Sequence, residues 1–118
     1  MLTESLVFLE DNELELTWLS SGSDAAGPAV GTAWGLSVHH ELYLFVKHCG
    51  FSPAEALRAA THLNAKRFDF RDRGQIKEGL RADLLLVEGN PLEDIDDALN
   101  LRGVWKEGVL CSTYAGLA

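Results

Sequence analysis

The apolar positions near the N-terminus follow a strand pattern. Two short apolar runs, residues 6–9 and 14–18, flank a polar turn sequence, and the second run alternates apolar with polar residues. This pattern predicts a β-hairpin over residues 1–19. The following stretch, residues 20–36, is rich in small residues, glycine and proline, and therefore predicts a loop that carries Asp24.

The pattern changes to a helical period over residues 37–70, where we expect two helices. Apolar residues lie on one side of a helix over residues 38–49, and Gly50 stands where a helix commonly ends. The second helix is expected to begin beside Ser52, which can cap it, with a proline at the first helical position. Glu55 stands three residues after Ser52 and can complete a capping box.

Strand patterns return over residues 71–118, with one short helix among them. The uninterrupted apolar run at residues 84–87 predicts a strand that is buried on both faces. Apolar residues at helical spacing within the acidic stretch 92–99 predict a short exposed helix. The glycine of residues 106–108 favours a hairpin loop of three or four residues between two final strands.

The length and composition fit one small globular domain. The 118 residues are far short of a (β/α)8 barrel, which takes about 250. Hydrophobic residues make up 47% and charged residues 24%, a balance typical of a folded chain. We therefore expect a single domain, residues 1–118, of the α+β class. In it, the N-terminal hairpin and the C-terminal strands form one small mixed β-sheet, which packs on the two central helices.

The charge and the apolar runs limit the expected partners and location. Ten basic against eighteen acidic residues give a net charge of −8, which repels phosphate backbones and anionic membrane surfaces. The apolar runs are far below the roughly 18 residues that cross a bilayer, and the first residues lack a basic signal region. We expect no nucleic-acid partner, no membrane partner and a cytoplasmic location.

Candidate reactive side chains are few. The two cysteines, Cys49 and Cys111, show no metal-binding or disulfide spacing, and their apolar neighbours predict that both are buried. None of the four histidines has the spacing of a known zinc motif, so each is expected to be structural or solvent-facing. Aromatic residues form either core or a small-molecule pocket; the candidates are Trp18, Trp34, Tyr43 and Trp105.

Several short motifs occur in a specific order along the chain. They are SPAEALRAAT at 52–61, NA at 64–65, GQIKEG at 74–79, ADL at 82–84, GNPL at 89–92 and VWKEG at 104–108. Each motif alone is weak, but their joint order and spacing are specific. Over about residues 16–110, the chain resembles the C-terminal end of a metal-dependent amidohydrolase. The likeness is to the imidazolonepropionase-like and prolidase-like branch.

The resemblance draws attention to Asp24. Gly22-Ser23-Asp24 stands where this branch has Gly-Thr-Asp at the end of the last barrel strand. The resemblance implies that Asp24 is both a ligand of a divalent metal, commonly zinc, and a catalytic carboxylate that moves a proton between water and the leaving group. It also implies that the chain corresponds to the last barrel strand, the final helices and the β-sandwich end, because the family's other metal ligands lie upstream.

These observations leave three functions open. The first is a truncated amidohydrolase-like domain that binds no cofactor by itself, has no hydrolase activity of its own, and forms homodimers through the surfaces that the absent barrel would cover. The second is the C-terminal part of a zinc-dependent hydrolase of C–N bonds, acting on a cyclic amide or a dipeptide, with Asp24 completed by a complementary amidohydrolase chain. The third is a small-molecule binding domain.

Overall fold

The computed structural model describes residues 5–7, 20–22, 30, 33 and 35–114. Strands β1 and β2 come first, followed by helices α1, α2 and α3, with one π-helical turn between α2 and α3. Strand β3, a 3-10 helix, strands β4 and β5 and a last 3-10 turn follow. The bounds in the same order are β1 Ser5–Val7, β2 Ser20–Gly22, α1 Leu36–His48, α2 Pro53–Arg58, π turn Ala59–Leu63, α3 Asn64–Arg67, β3 Leu84–Val87, 3-10 helix Ile95–Leu99, β4 Leu101–Lys106, β5 Val109–Leu110 and 3-10 turn Ser112–Tyr114.

The N-terminal sheet is a two-stranded antiparallel ribbon. β1 pairs with β2, with Leu6 opposite Ser21. The prediction that residues 20–22 belong to a loop is wrong, because β2 satisfies its backbone groups by pairing with β1. The predicted hairpin turn, the second predicted strand (residues 14–18) and most of the rest of the predicted loop lie outside the described residues. Leu36, the last residue of the predicted loop, is the first residue of α1.

The C-terminal sheet is separate from the N-terminal one. Its strand order is β3-β4-β5, with antiparallel neighbours and a register shift between Leu86 and Val87. The predicted single mixed sheet is wrong for the described residues, because β1 lies against the π turn and α3 instead of beside a C-terminal strand. The chain is a small arrangement of helices and antiparallel sheet, not a closed barrel.

Helix α1 ends where the sequence predicted. Gly50 adopts a φ of +78°, a left-handed conformation that glycine tolerates, and the Phe51 N–H donates to the Phe45 carbonyl at 3.1 Å. Val38, Leu42 and Phe45 are buried. Cys49, however, lies at the end of the helix and is exposed, so the prediction of a buried thiol is wrong there.

The second helix begins with the predicted capping box. The Ser52 hydroxyl accepts from the Glu55 N–H at 3.2 Å, and the Glu55 carboxylate accepts from the Ser52 N–H at 2.7 Å. This backbone N–H, together with the Ser52 hydroxyl, holds the pKa of Glu55 below its ordinary value. From there the helical path continues through the π turn into α3.

The core lies between α1, the second helix and the 3-10 helix. The Phe45 and Phe51 rings stack with centroids 4.8 Å apart, an arrangement that stabilises aromatic pairs. The buried cluster consists of Leu42, Phe45, Phe51, Ala56, Ala59, Ala60, Ile95 and Ala98. The short helix predicted in the acidic stretch is therefore present, and Ile95 anchors it to the core.

The C-terminal strands differ from prediction in two ways. β3 is not buried on both faces, since Leu86 is 53% exposed. The hairpin between β4 and β5 has a two-residue loop, shorter than predicted, because Lys106 pairs with Val109. Its residues Glu107 and Gly108 both have positive φ, as a type I′ turn requires. Over the described ranges, no helix combines the length and apolar character needed to cross a membrane.

Candidate functional site

A groove of about 510 Å³ lies between β3 and the second helix, which here means the continuous path of α2, the π turn and α3. Its walls are largely apolar: Leu57 and Ala60 come from the helix, Leu85 and Val87 from β3, and Phe70 from the connecting loop. A volume of this size falls within the range of about 300–1,000 Å³ that ligand pockets occupy.

A close backbone contact at Gly74 positions a loop that lines the groove. A Cβ at this position would lie 2.5 Å from the Ala65 Cβ and 3.0 Å from the Thr61 carbonyl oxygen, and the φ is +91°. The Phe70 N–H also donates to the Ala65 carbonyl at 2.8 Å. The glycine of the GQIKEG motif therefore lets residues 70–76 lie directly on the helix.

The two charged side chains that line the groove, Arg73 and Asp83, are each paired with a neighbouring residue of opposite charge. The Arg73 guanidinium bonds Asp72 at 2.8 Å and lies over the Phe70 ring, 4.7 Å from its centroid. This bond holds the pKa of Asp72 below its usual range. Asp83 accepts from the Glu107 N–H at 2.8 Å and contacts Arg81 at 2.8 Å. The Glu107 backbone bond is the main reason that the pKa of Asp83 is lowered.

The remaining polar side chains near the groove are also bonded. The Thr61 hydroxyl donates to the Leu57 carbonyl at 2.8 Å, and the Gln75 amide lies 2.6 Å from the His62 imidazole. Since the charges and these polar groups satisfy one another, the groove offers apolar contact and no free acid, base or nucleophile among the described residues.

Asn64, the first residue of α3, is a buried amide that has no partner among the described residues. It is 1% exposed, and neither its side-chain nitrogen nor its oxygen forms a hydrogen bond with that part of the chain. Such groups are rare in folded proteins, because burial removes the hydrogen bonds that water would supply. Its place in the NA motif was apparent from the sequence, but nothing in the sequence indicated an unpaired amide.

The described residues do not fit a catalytic metal centre. Asp24, the predicted metal ligand and catalytic carboxylate, lies outside them. Within the described ranges, no group of three or more His, Cys, Asp or Glu side chains is placed to hold a metal ion, and a catalytic zinc site usually takes three protein ligands.

His39 is half-buried, and this burial lowers the pKa of its imidazole.

Of the four aromatic residues predicted as a possible pocket, the two that the structure describes do not line the groove. Tyr43 contacts His40, with ring centroids 6.1 Å apart, and Trp105 covers Gly103 on β4. Neither Tyr43 nor Trp105 lines the groove. Trp18 and Trp34 lie outside the described residues.

Comparison with known proteins gives a consistent family. The family model described as "Amidohydrolase family" matches residues 12–111. Imidazolonepropionase of Deinococcus deserti is 39% identical over 70 residues, which cover 57% of this chain and 18% of that protein. Ochratoxinase of Aspergillus niger is 39% identical over 85 residues, which cover 67% of this chain and 18% of that protein.

Solved structures support the same relationship. A Xaa-Pro dipeptidase with methionine bound in its active site superposes with a TM-score of 0.59 at 36% identity, over 62% of this chain and 18% of that one. The chain thus spans less than a fifth of the length of the curated relatives it matches. Because the family model covers most of the sequence, this chain belongs to the amidohydrolase family.

Proposed function

We propose that this chain is the C-terminal part of a hydrolase of C–N bonds and has no hydrolase activity by itself. One observation carries the proposal: the chain matches the amidohydrolase family over residues 12–111 yet spans 18% of its curated relatives. Relatives that include an imidazolonepropionase and a Xaa-Pro dipeptidase favour a cyclic amide or a dipeptide as the substrate class. The remaining catalytic groups then belong to a completing segment of the amidohydrolase.

Within this proposal, Asp24 is the catalytic residue and metal ligand that the chain contributes. A carboxylate in a closed site can accept and return a proton, which supplies general acid–base catalysis. Zinc or another divalent cation is held mainly by side chains of the completing segment. In the same proposal, the helices from α1 to α3 are the final helices of a barrel, and β3 to β5 belong to its β-sandwich end.

A chimera tests the proposal. Residues 12–111 of this chain replace the equivalent segment of Aspergillus niger ochratoxinase, and hydrolysis of that enzyme's own substrate is measured. We expect the chimera to be active and the isolated chain to be inactive. Asp24→Asn should lower the rate of the chimera by about 10²-fold or more, the usual contribution of a general acid–base group.

The matched control is Asp69→Asn, which removes an exposed carboxylate that pairs with exposed Arg71. We expect this variant of the chimera to retain full activity. An Asp24→Asn chimera as fast as its parent would contradict the role of Asp24. Hydrolysis by the isolated chain would contradict the need for a completing segment.

The second candidate function is a self-associating module. Several large apolar side chains are exposed, among them Ile76, Leu86 and Val109, and exposed apolar surface favours association. We propose a homodimer and, because Cys49 and Cys111 are both free thiols, a reducing, cytoplasmic compartment. Light scattering should give twice the mass of the 12.9 kDa chain. A monomer across the micromolar range would contradict self-association.

A further inference from the structure

We infer that Asn64 is a positioning residue for Asp24. In the completed hydrolase, meaning this chain together with its completing segment, the buried amide of Asn64 bonds the backbone of the segment that carries Asp24. This role rests on the proposed function and adds to it a residue of this chain that acts through Asp24 without touching the substrate.

The N-terminal ribbon of β1 and β2 connects Asn64 to Asp24. β1 lies against both the π turn and α3, whose first residue is Asn64. β2 pairs with β1, and Gly22 at the end of β2 lies opposite Ser5. Asp24 follows Gly22 by two residues, which span at most about 7 Å of extended chain. The helical segment that holds Asn64 therefore supports the ribbon from which the Asp24 segment continues.

Asn64 places an amide in an apolar core. It is 1% exposed and, among the described residues, it is the one polar side chain that is buried. Neither polar atom of the amide bonds a described residue. Because buried polar groups in folded proteins are nearly always bonded, its partner is expected among the remaining residues of the working protein. The side chain is already enclosed, so the chain's own backbone can reach it, whereas a side chain of the completing segment cannot.

The chemistry of an amide suits the task of holding a backbone. Its NH2 group donates and its carbonyl oxygen accepts, so it can bond a backbone C=O and a backbone N–H together. The amide bonds neither Ser5–Val7 nor Ser20–Gly22, and the next backbone groups along the ribbon belong to residues 23 and 24. The bonds form when the completing segment holds the Asp24 segment against the ribbon. They then set the position of the Asp24 carboxylate.

A longer chimera tests this role. Residues 5–111 of this chain, which include β1, replace the equivalent segment of Aspergillus niger ochratoxinase, and kcat and KM are measured for that enzyme's own substrate. Asn64→Leu removes both polar atoms of the amide, and Asn64→Ala removes them without adding bulk. The matched control is Asn100→Leu, which makes the same chemical change at an exposed amide that donates to the Glu88 carbonyl at 3.3 Å.

We expect both Asn64 variants to lower kcat by about tenfold to a hundredfold and to leave KM unchanged. A misplaced catalytic group weakens transition-state stabilisation without weakening substrate binding. Hydrogen exchange followed by mass spectrometry gives a readout that does not depend on activity. The backbone N–H groups of residues 20–26 should exchange about tenfold faster in the Asn64→Leu chimera than in its parent. Asn100→Leu should change neither kcat nor this exchange.

Full activity of both Asn64 variants in an active chimera would overturn the role of Asn64 and leave the proposed function intact. An equal loss of kcat in Asn100→Leu, or unchanged exchange of residues 20–26 in Asn64→Leu, would overturn it as well. An inactive parent chimera would instead reject the proposed function. In that case, faster exchange in Asn64→Leu would still support the contact between Asn64 and the Asp24 segment, and unchanged exchange would reject that contact too.

Discussion

Replacing Asn64 with leucine should stabilise the isolated chain, although most substitutions of a buried residue destabilise. Asn64 is 1% exposed, and its amide nitrogen and oxygen have no hydrogen-bond partners within the described ranges. Each buried unsatisfied group costs about 1–3 kcal/mol, and Asn64→Leu removes both. Leucine has a similar length but a different shape, which costs up to roughly 1.5 kcal/mol in a packed site.

The expected net gain in the free energy of unfolding is about 2 kcal/mol. For a chain of this size, that gain raises the unfolding midpoint by roughly 5–10 °C. Thermal and urea unfolding of the full-length chain, followed by circular dichroism, measure both quantities. Asn64→Ala serves as the cavity control, because it removes the amide without filling its space, and it should gain less than Asn64→Leu or lose stability.

Asn64→Asp tests the same reasoning by increasing the cost of the buried, unpaired group. A buried carboxylate without a partner is much more costly than an amide, so this variant should be clearly destabilised near neutral pH. If Asn64→Leu instead unfolds at a lower temperature than the parent, the amide makes hydrogen bonds in solution that stabilise the fold. That result would refute the reasoning.

Three further predictions follow from other sites. Gly74→Ala should lower the unfolding midpoint by several degrees in a thermal scan, because its Cβ would lie 2.5 Å from the Ala65 Cβ at a φ of +91°. Burial lowers the pKa of His39 in the folded chain, so as the pH falls the unfolded chain takes up a proton at a higher pH than the folded chain does. The free energy of unfolding should therefore decrease as the pH falls below the ordinary pKa of histidine. His39→Gln should flatten this part of the stability-against-pH curve, whereas exposed His40→Gln should leave it unchanged. Ser52→Ala should cost about 1 kcal/mol in urea unfolding, the usual value of a helix cap.

Local signals predicted local structure well. Ser52 and Glu55 lie three residues apart, and the capping box they predicted is present because its hydrogen bonds join near neighbours. Gly50 likewise ends α1 as predicted, since a left-handed residue at a helix end needs no distant partner. These features depend on a few adjacent residues and were therefore apparent in the sequence.

Long-range arrangement could not be predicted in the same way. A short apolar run can identify a strand but not its neighbour, and β1 pairs with β2 instead of joining the C-terminal strands. Cys49 has apolar neighbours along the chain, yet its position at the end of α1 places it in solvent. The groove joins residues from Leu57 to Ala98, so no single motif predicted it. The role of Asp24 remains a prediction from the family resemblance.

The π turn accommodates one extra residue in the continuous helical path from α2 to α3, residues 53–67. An α-helix advances about 100° per residue, and a π turn holds more residues than an α turn, so the turn shifts which side chains face each neighbour. Ala56 before it is in the core cluster, whereas Ala65 after it contacts Gly74. Because the turn absorbs one extra residue, deleting one residue from Ala59–Leu63 would restore a regular α-helix and leave Asn64 and Ala65 on nearly the same faces, whereas deleting a residue from α3 would swing the residues after it by about 100°. A relative that lacks one residue within these five positions should therefore have a regular α-helix here and keep the same packing on both sides of it.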